Sequence, residues 1–314
     1  MLLKKGISTL RVLRVAVVGL GGVGAYICAS LAKTEHDIVG FARGKHLKAI
    51  QENGLEIVED SLSWNVKVDA RELRDADGYF DIVLFCVKSY DLVDSYEKIS
   101  SYIDSKSIIL SFSNGVNNGD ILREMSDSIV LDGCIYILSH QESAGVIRKK
   151  GKVFAGVFGG DESATKILSQ VFDDAKLRHI AHRVNPLRKT PSEIQIALWK
   201  KYIFISAFAT ATSYYDNSIG FVYKNHRDEV KTLLEEIASV AEAKGIKIHS
   251  EIEKALETAS KVPYDSSTSM HLDFVNNKRV ELESLSKYIV NEGEKYGVNT
   301  TLMQKMYESL KIRI

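Results

Sequence analysis

Residues 14–24 read R-V-A-V-V-G-L-G-G-V-G, and this stretch decides the fold class. Its apolar run, residues 15–18, is typical of a strand buried on both faces. Three glycines with the spacing G-x-G-x-x-G follow at once, and the apolar residues 25–32 after them predict a helix. We therefore predict that a dinucleotide binds at this turn, contacting Gly19, Leu20, Gly21, Gly22, Val23 and Gly24. A glycine-rich turn that serves packing alone is the alternative.

The end of the second predicted strand, residues 37–41, indicates which dinucleotide binds. NAD sites place an acidic residue at this point to hold the ribose hydroxyls. Here the chain continues Ala-Arg-Gly-Lys-His at residues 42–46, without an acid. The Arg43 guanidinium can pair with a ribose 2′-phosphate. The sequence therefore favours NADPH, and an exposed basic loop is the alternative.

Composition excludes several classes of protein. With 314 residues we expect two domains. Lys plus Arg (41) equals Asp plus Glu (41), so no overall field indicates nucleic acid or a membrane surface as partner. No apolar run reaches the roughly 18–20 residues that span a bilayer, and residues 1–13 do not resemble a cleaved signal. Three widely spaced cysteines in apolar segments indicate buried thiols and a cytoplasmic protein, and the histidine spacing predicts no metal site.

The order of predicted elements divides the chain into two domains. Up to about residue 185, apolar strands alternate with helices, which predicts a doubly wound α/β sheet of Rossmann type. The predicted strands are 15–18, 38–41, 82–86, 108–111 and 129–132, with further β-like segments at 134–138, 145–148 and 153–158. Helical patterns follow, at 190–212 with Thr190 as cap, 227–244, 251–261, 280–295 and from 301 onward. We expect a dinucleotide-binding domain over residues 1–188 and an all-helical domain over residues 189–314.

Two polar residues follow predicted strands of this sheet. Lys88 comes after the strand at 82–86, and Asn114 lies just beyond the strand at 108–111. Ligands of open α/β sheets bind at the carboxyl ends of the strands. Both residues are therefore expected to line the cofactor crevice. A surface lysine and an Asn-Gly turn are the alternatives.

A lysine in the first helix of the second domain is a candidate proton donor. Spacings of three and four residues place Lys201 on the apolar stripe of this helix, whereas Lys200 points toward solvent. Burial is costly for a lysine and lowers its pKa, which suits a proton donor near neutral pH. A lysine whose charged end reaches solvent at the edge of the stripe is the alternative.

A hydroxyl-rich stretch, residues 266–270, precedes a short helical pattern, and Glu281 follows Ser269 by twelve residues. Glu281 lies where the next helix is expected to begin, so the helix dipole would stabilise its carboxylate. Helix capping alone would explain both features.

Taken in order, these motifs resemble the ketopantoate reductase (2-dehydropantoate 2-reductase) family. The resemblance rests on G-x-G-x-x-G, Lys88, Asn114-Gly115, Trp199-x-Lys201, and Ser269 with Glu281. It implies a two-domain NADPH enzyme that reduces 2-dehydropantoate to pantoate, for pantothenate and coenzyme A synthesis.

The resemblance also implies a role for each site residue. Lys201 would be the catalytic general acid, and Glu281 would be a catalytic carboxylate near the cofactor. Lys88 and Asn114 would contact the nicotinamide end and the substrate. Ser269 would bind the substrate carboxylate, and Arg43 the 2′-phosphate.

The chain departs from the family pattern where the family has asparagines, since it carries Ile205, Ala209 and Ile219 there. Losing such polar contacts changes substrate discrimination. Reduction of another small 2-keto acid is therefore one alternative, and a non-catalytic NADPH-binding sensor is another. A homodimer is compatible with either reading.

Overall fold

The computed structural model describes residues 11–60, 62–183 and 191–314. The first half contains ten strands and five α-helices within the described residues. The strands are β1 Arg14–Val18, β2 Asp37–Phe41, β3 Leu55–Glu59, β4 Leu62–Val66, β5 Asp69–Arg71, β6 Ile82–Phe85, β7 Ile108–Ser111, β8 Ile129–Ser143, β9 Val146–Gly160 and β10 His179–Arg183. The helices are α1 Gly22–Leu31, α2 Gly44–Asn53, α3 Leu92–Ile99, α4 Asn118–Met125 and α5 Glu162–Asp174.

All ten strands form one mixed sheet. Its order is β4-β3-β9-β8-β7-β6-β1-β2-β5, and β10 pairs with β9. The run from β5 to β8 is parallel throughout, with β1 between β2 and β6. Apolar clusters cover both faces of these strands. The predicted α/β fold of Rossmann type is confirmed, and β1, β6 and β7 deliver their carboxyl ends to one edge.

The sheet departs from the predicted strands beyond β7. The segments predicted at 129–132 and 134–138 are one continuous strand, β8, and those at 145–148 and 153–158 are one strand, β9. β8 and β9 pair antiparallel, with irregular register between Ile137 and Ser139. The prediction of separate short strands was therefore wrong. The strands β3, β4, β5 and β10 had not been predicted.

The second half is helical within its described residues, as predicted. Its helices are α6 Glu193–Tyr215, α7 Ile219–Asn225, α8 Arg227–Ala243, α9 Glu251–Lys261, α10 Ser269–Val275, α11 Tyr288–Tyr296 and α12 Thr301–Lys311, and a π-helical turn, Glu283–Lys287, precedes α11. They enclose a separate apolar core. The expected domain boundary at residues 188 and 189 lies outside the described residues and stays a prediction.

Helix α6 begins at a different residue from the one predicted. Ser192 is the cap: its hydroxyl accepts from the Gln195 N–H, and the Gln195 side chain accepts in return from the Ser192 N–H. This reciprocal pair forms a capping box. Thr190, the predicted cap, lies outside the described residues. The first turns of α6 pack on the β8–β9 hairpin through Ile194 and Leu198, which directs the next turn toward the sheet domain.

Two further expectations concern the burial of the cysteine thiols and the presence of membrane-spanning helices. Cys28 and Cys134 are buried, Cys86 is partly buried, and all three are free thiols. In the part of the chain that the structure describes, none of the helices combines the length and the apolar character required to cross a membrane.

Candidate functional site

The glycine-rich turn joins β1 to α1 in a conformation that only glycine adopts easily. Gly19 has a φ of 95°, in the left-handed region where side chains are disfavoured. The Gly19 and Leu20 N–H groups both donate to the Phe41 carbonyl, at 3.0 and 3.2 Å. This fixes the turn against the end of β2.

The other glycines of the turn have different surroundings. A Cβ on Gly24 would meet the Gly19 carbonyl oxygen and would lie 2.7 Å from the Cys86 Cβ, so helix and strand are in close contact there. A Cβ on Gly22 would lie 2.6 Å from the Ser139 carbonyl oxygen of β8. Around Gly21, however, nothing lies within 4 Å of such a Cβ. The turn is therefore packed on two sides and open at Gly21.

Lys88 follows β6 and connects the two domains. Its ammonium donates to Glu281 Oε2 at 3.0 Å and to Asp273 Oδ2 at 2.9 Å. Burial opposes its charge, but the carboxylates of Glu281 and Asp273 outweigh burial and raise the pKa of Lys88. Glu281 itself is 2% exposed and also accepts from the Ser89 N–H at 3.4 Å. A buried carboxylate is thus held beside a charged lysine.

Asn114 links this pair to Lys201. Its amide Nδ2 donates to Glu281 Oε2 at 3.4 Å, and its Oδ1 accepts from the Lys201 ammonium at 3.4 Å. Both distances are at the long end for hydrogen bonds. Burial lowers the pKa of Lys201, and the smaller effects of Cys134 and Glu281 oppose it. The Lys201 ammonium also lies 5.7 Å from the centre of the Tyr136 ring, so an aromatic face and an amide hold this lysine.

Arg43 and Ser269 occupy exposed positions. The Arg43 side chain is 88% exposed and its guanidinium lies 3.5 Å from an Asp91 carboxylate oxygen. Ser269 is the first residue of α10, where Thr268 is the cap and accepts from the His271 N–H. Thr268 therefore performs the capping, which leaves the Ser269 side chain available to other partners.

A single cleft of about 1250 Å³ contacts all but one of the predicted site residues. Its lining includes Gly19, Leu20, Gly21, Gly22, Val23, Arg43, Lys88, Asn114, Lys201, Ser269 and Glu281. Gly24 is not part of that lining and is buried in the packing of α1 on the sheet. The residues come from both domains, so the cleft lies between them.

The three positions that depart from the family pattern lie in different parts of the structure. Ile205 lines the cleft. Ala209 is 3% exposed and Ile219 6% exposed, and both belong to the helical core. Ile205 alone of the three therefore brings an apolar side chain to the site.

Sequence reasoning missed Asp273 and Tyr136. Asp273 follows Ser269 by one helical turn, so the sequence could have shown that both side chains lie on the same face of the helix. Tyr136 lies on β8, whose path over the glycine turn was not predicted, and no local pattern distinguishes it.

Comparison with known proteins assigns the family. The family described as "Ketopantoate reductase PanE/ApbA" matches residues 15–159, and its C-terminal counterpart matches residues 193–313. The chain is 26% identical over 305 residues to "Uncharacterized oxidoreductase YkpB" of Bacillus subtilis, covering 94% of this chain and 97% of that protein. It is 28% identical over 305 residues to the 2-dehydropantoate 2-reductase of Archaeoglobus fulgidus, with the same two coverages.

A solved structure resembles the whole fold. The PanE/ApbA family ketopantoate reductase from Ralstonia eutropha JMP134 superimposes with a TM-score of 0.86 at 25% sequence identity. The match covers 96% of this chain and 98% of that one.

Proposed function

This chain belongs to the ketopantoate reductase family of oxidoreductases, and on that premise we propose that it reduces 2-dehydropantoate to pantoate with NADPH. The reaction would serve pantothenate and coenzyme A synthesis in the cytoplasm. One observation carries the proposal: hydrogen bonds connect Lys201, Asn114, Glu281 and Lys88 in the same cleft as the glycine-rich turn.

The glycine turn suits a pyrophosphate. The open space beside Gly21 admits a ligand against the backbone, and the first N–H groups of α1 have no acceptor within the helix. Arg43 lines the same cleft and would pair with a ribose 2′-phosphate. When bound, the nicotinamide supplies the hydride that reduces the keto carbon.

Lys201 would act as the general acid at the keto oxygen. Its lowered pKa makes proton donation easier than from an ordinary lysine. Asn114 would hold the Lys201 ammonium in place through its Oδ1. The positive charge of the ammonium would also stabilise negative charge that develops on the oxygen.

Ser269 and Glu281 would orient the reactants. The Ser269 hydroxyl, at the start of α10, would donate to the substrate carboxylate. Glu281 would fix Asn114 through its Oε2, and Lys88 neutralises the buried Glu281 charge. A carboxylate so held provides a rigid acceptor at the reacting centre.

The test follows cofactor oxidation with NADPH and with NADH, using 2-dehydropantoate and a panel of 2-keto acids. We expect the highest kcat/KM with NADPH and 2-dehydropantoate. Turnover of 2-dehydropantoate no faster than the background rate would contradict the proposal.

One observation favours a second candidate, a reductase of another 2-keto acid. Ile205 brings an apolar side chain to the cleft in place of an amide, and an apolar surface favours an apolar substituent. If 2-dehydropantoate is the substrate, Ile205→Asn should raise kcat/KM for it. A lower value, with a more apolar 2-keto acid preferred by the parent protein, would support the second candidate.

A further inference from the structure

A second cavity, of about 750 Å³, lies behind the segment that carries Glu281; we name it the rear cavity. Its wall on the side of the sheet domain is formed by Ser89, Tyr90 and the start of α4. Its wall on the side of the helical domain is formed by residues within 274–291 and by residues 313–314. Glu281 and Tyr90 line both this cavity and the reaction cleft. The two cavities therefore share a wall.

The charges around the rear cavity do not balance. Two acids line it, Glu281 and Glu283, and each has a cation: Glu281 is 3.0 Å from Lys88 and Glu283 is 3.0 Å from Lys287. Three further cations line it. Arg279 lies 3.5 Å from Asp91, whereas Lys278 and Arg313 have no carboxylate within 4 Å among the described residues. Within that part of the chain, an excess of positive side-chain charge remains at the cavity.

The backbone adds to this excess. Asn117, Asn118 and Ile121 line the cavity at the amino end of α4. The cap residue Asn117 makes no side-chain bond to the helix. The first N–H groups of α4 also have no acceptor within the helix, and the positive end of its dipole lies there.

The remaining lining combines apolar and aromatic residues with polar ones such as Asn277, Ser284 and Asn291. Phe274, Val280, Leu282 and Tyr288 contribute to it. The Arg313 guanidinium lies 5.1 Å from the centre of the Phe274 ring and donates to the Ser213 carbonyl. A ligand that fits would combine an anionic group with an apolar or aromatic body.

We propose that the rear cavity binds a small phosphate ester with an apolar or aromatic body. Arg313 and Lys278 would pair with the phosphate, since guanidinium and ammonium groups both bind phosphate oxygens well. The apolar body would lie against Phe274 and Tyr288. The site is distinct from the glycine turn, and its occupancy does not depend on the reduction reaction.

Isothermal titration of the full chain with phenyl phosphate tests this proposal. The site should be lost, or weakened about tenfold or more, in Lys278→Gln/Arg313→Gln, because two charged contacts are removed. Arg43→Ala, in the reaction cleft, should bind as the parent does. Lys48→Gln/Lys166→Gln makes the same change in net charge on exposed helix positions and should also bind normally.

Thermal unfolding of each variant controls for folding. If the Arg313→Gln change lowers the stability of the double variant, the single variant Lys278→Glu is titrated in its place. Lys278 has an exposed side chain, so this change should not affect folding. No binding of phenyl phosphate to the parent protein would overturn the proposal. Loss of binding in Arg43→Ala with retention in the rear-cavity variant would also overturn it, because the ester would then occupy the reaction cleft. Neither outcome depends on whether the protein has reductase activity, because the titration measures only the binding of phenyl phosphate.

Discussion

Two adjacent lysines in α6 both line the cleft but have different partners, which makes them a matched pair. Lys201 lies in the cleft next to Asn114 and Tyr136. Lys200, expected to point toward solvent, is 47% exposed but lines the cleft wall beside Glu251, which lies 3.8 Å from its ammonium. Lys201→Ala should lower kcat about 10²–10⁴-fold, the typical contribution of general acid catalysis, with little change in NADPH affinity. Lys200→Ala should be nearly silent. Steady-state kinetics check both, and a reversed result would refute the catalytic assignment.

The pH dependence of kcat/KM should follow from the protonation state of Lys201. A general acid must hold its proton, so kcat/KM should fall as pH rises through the pKa of Lys201. Burial lowers that pKa, so the fall should begin below the ordinary lysine value of about 10.4. The profile of kcat/KM, measured to alkaline pH, should lose this limb in Lys201→Ala. Persistence of the limb in the variant would assign it to another group.

Arg43 should determine the choice of cofactor. Its guanidinium lies 3.5 Å from an Asp91 carboxylate oxygen and the side chain is 88% exposed, so it is free to turn toward a phosphate. Losing one charge-assisted bond costs about 1.5–3 kcal/mol. Arg43→Ala should therefore weaken NADPH binding roughly tenfold to a hundredfold, with NADH binding nearly unchanged. Titration with both cofactors decides, and equal affinities in the parent protein would contradict the prediction.

At the scale of the elements, the glycine turn offers a second matched pair. Gly24→Ala forces a methyl group against the Gly19 carbonyl and the Cys86 Cβ, and such overpacking costs about 1–3 kcal/mol. Gly21 has a φ of −74° and open surroundings, so Gly21→Ala should leave stability within about 0.5 kcal/mol. It should instead weaken cofactor binding.

Thermal unfolding and cofactor titration separate the two variants. Parent-like cofactor binding by Gly21→Ala would show that no ligand approaches the backbone there. Parent-like stability of Gly24→Ala would show that α1 can shift away from β1 at little cost.

Local pattern predicted the parallel part of the sheet better than its antiparallel part. The buried strands β1, β6 and β7 consist mostly of consecutive apolar residues, which a sequence displays directly. The strands β8 and β9 extend into polar, exposed segments such as residues 139–143. Their length depends on their pairing with each other and on the pairing of β9 with β3, and pairing between distant strands has no local signal.

At the scale of the whole molecule, the site depends on contacts between distant segments. Lys88 is 185 residues from Asp273 and 193 residues from Glu281 along the chain, yet its ammonium donates to both carboxylates. Spacing and the family resemblance suggested Lys88, Asn114, Lys201, Ser269 and Glu281 one at a time. The packing of α6 on the β8–β9 hairpin directs Lys201 to the cleft, and Glu281 meets Lys88 and Asn114 there. Only the folded chain displays these contacts.

The contacts of Lys88 should make the domain junction sensitive to charge. Glu281 is 2% exposed and has Lys88 as its ion-pair partner, whereas the Lys88 side chain is 38% exposed and also pairs with Asp273. Lys88→Met leaves the Glu281 charge buried without a cation, at a cost of about 1–3 kcal/mol. Asp273→Asn keeps the Lys88–Glu281 pair and removes a partly screened contact, so it should cost less than about 1 kcal/mol.

A compensating variant tests whether the buried charge is the cause. Lys88→Met/Glu281→Gln removes the unpaired charge while keeping the size of the side chain, so it should be more stable than Lys88→Met alone. Thermal unfolding followed by circular dichroism measures all four proteins, and the transition temperatures should rank the parent first and Lys88→Met last. If the double variant unfolds at or below the temperature of Lys88→Met, the loss comes from packing of the Lys88 side chain, and the junction does not depend on neutralising Glu281.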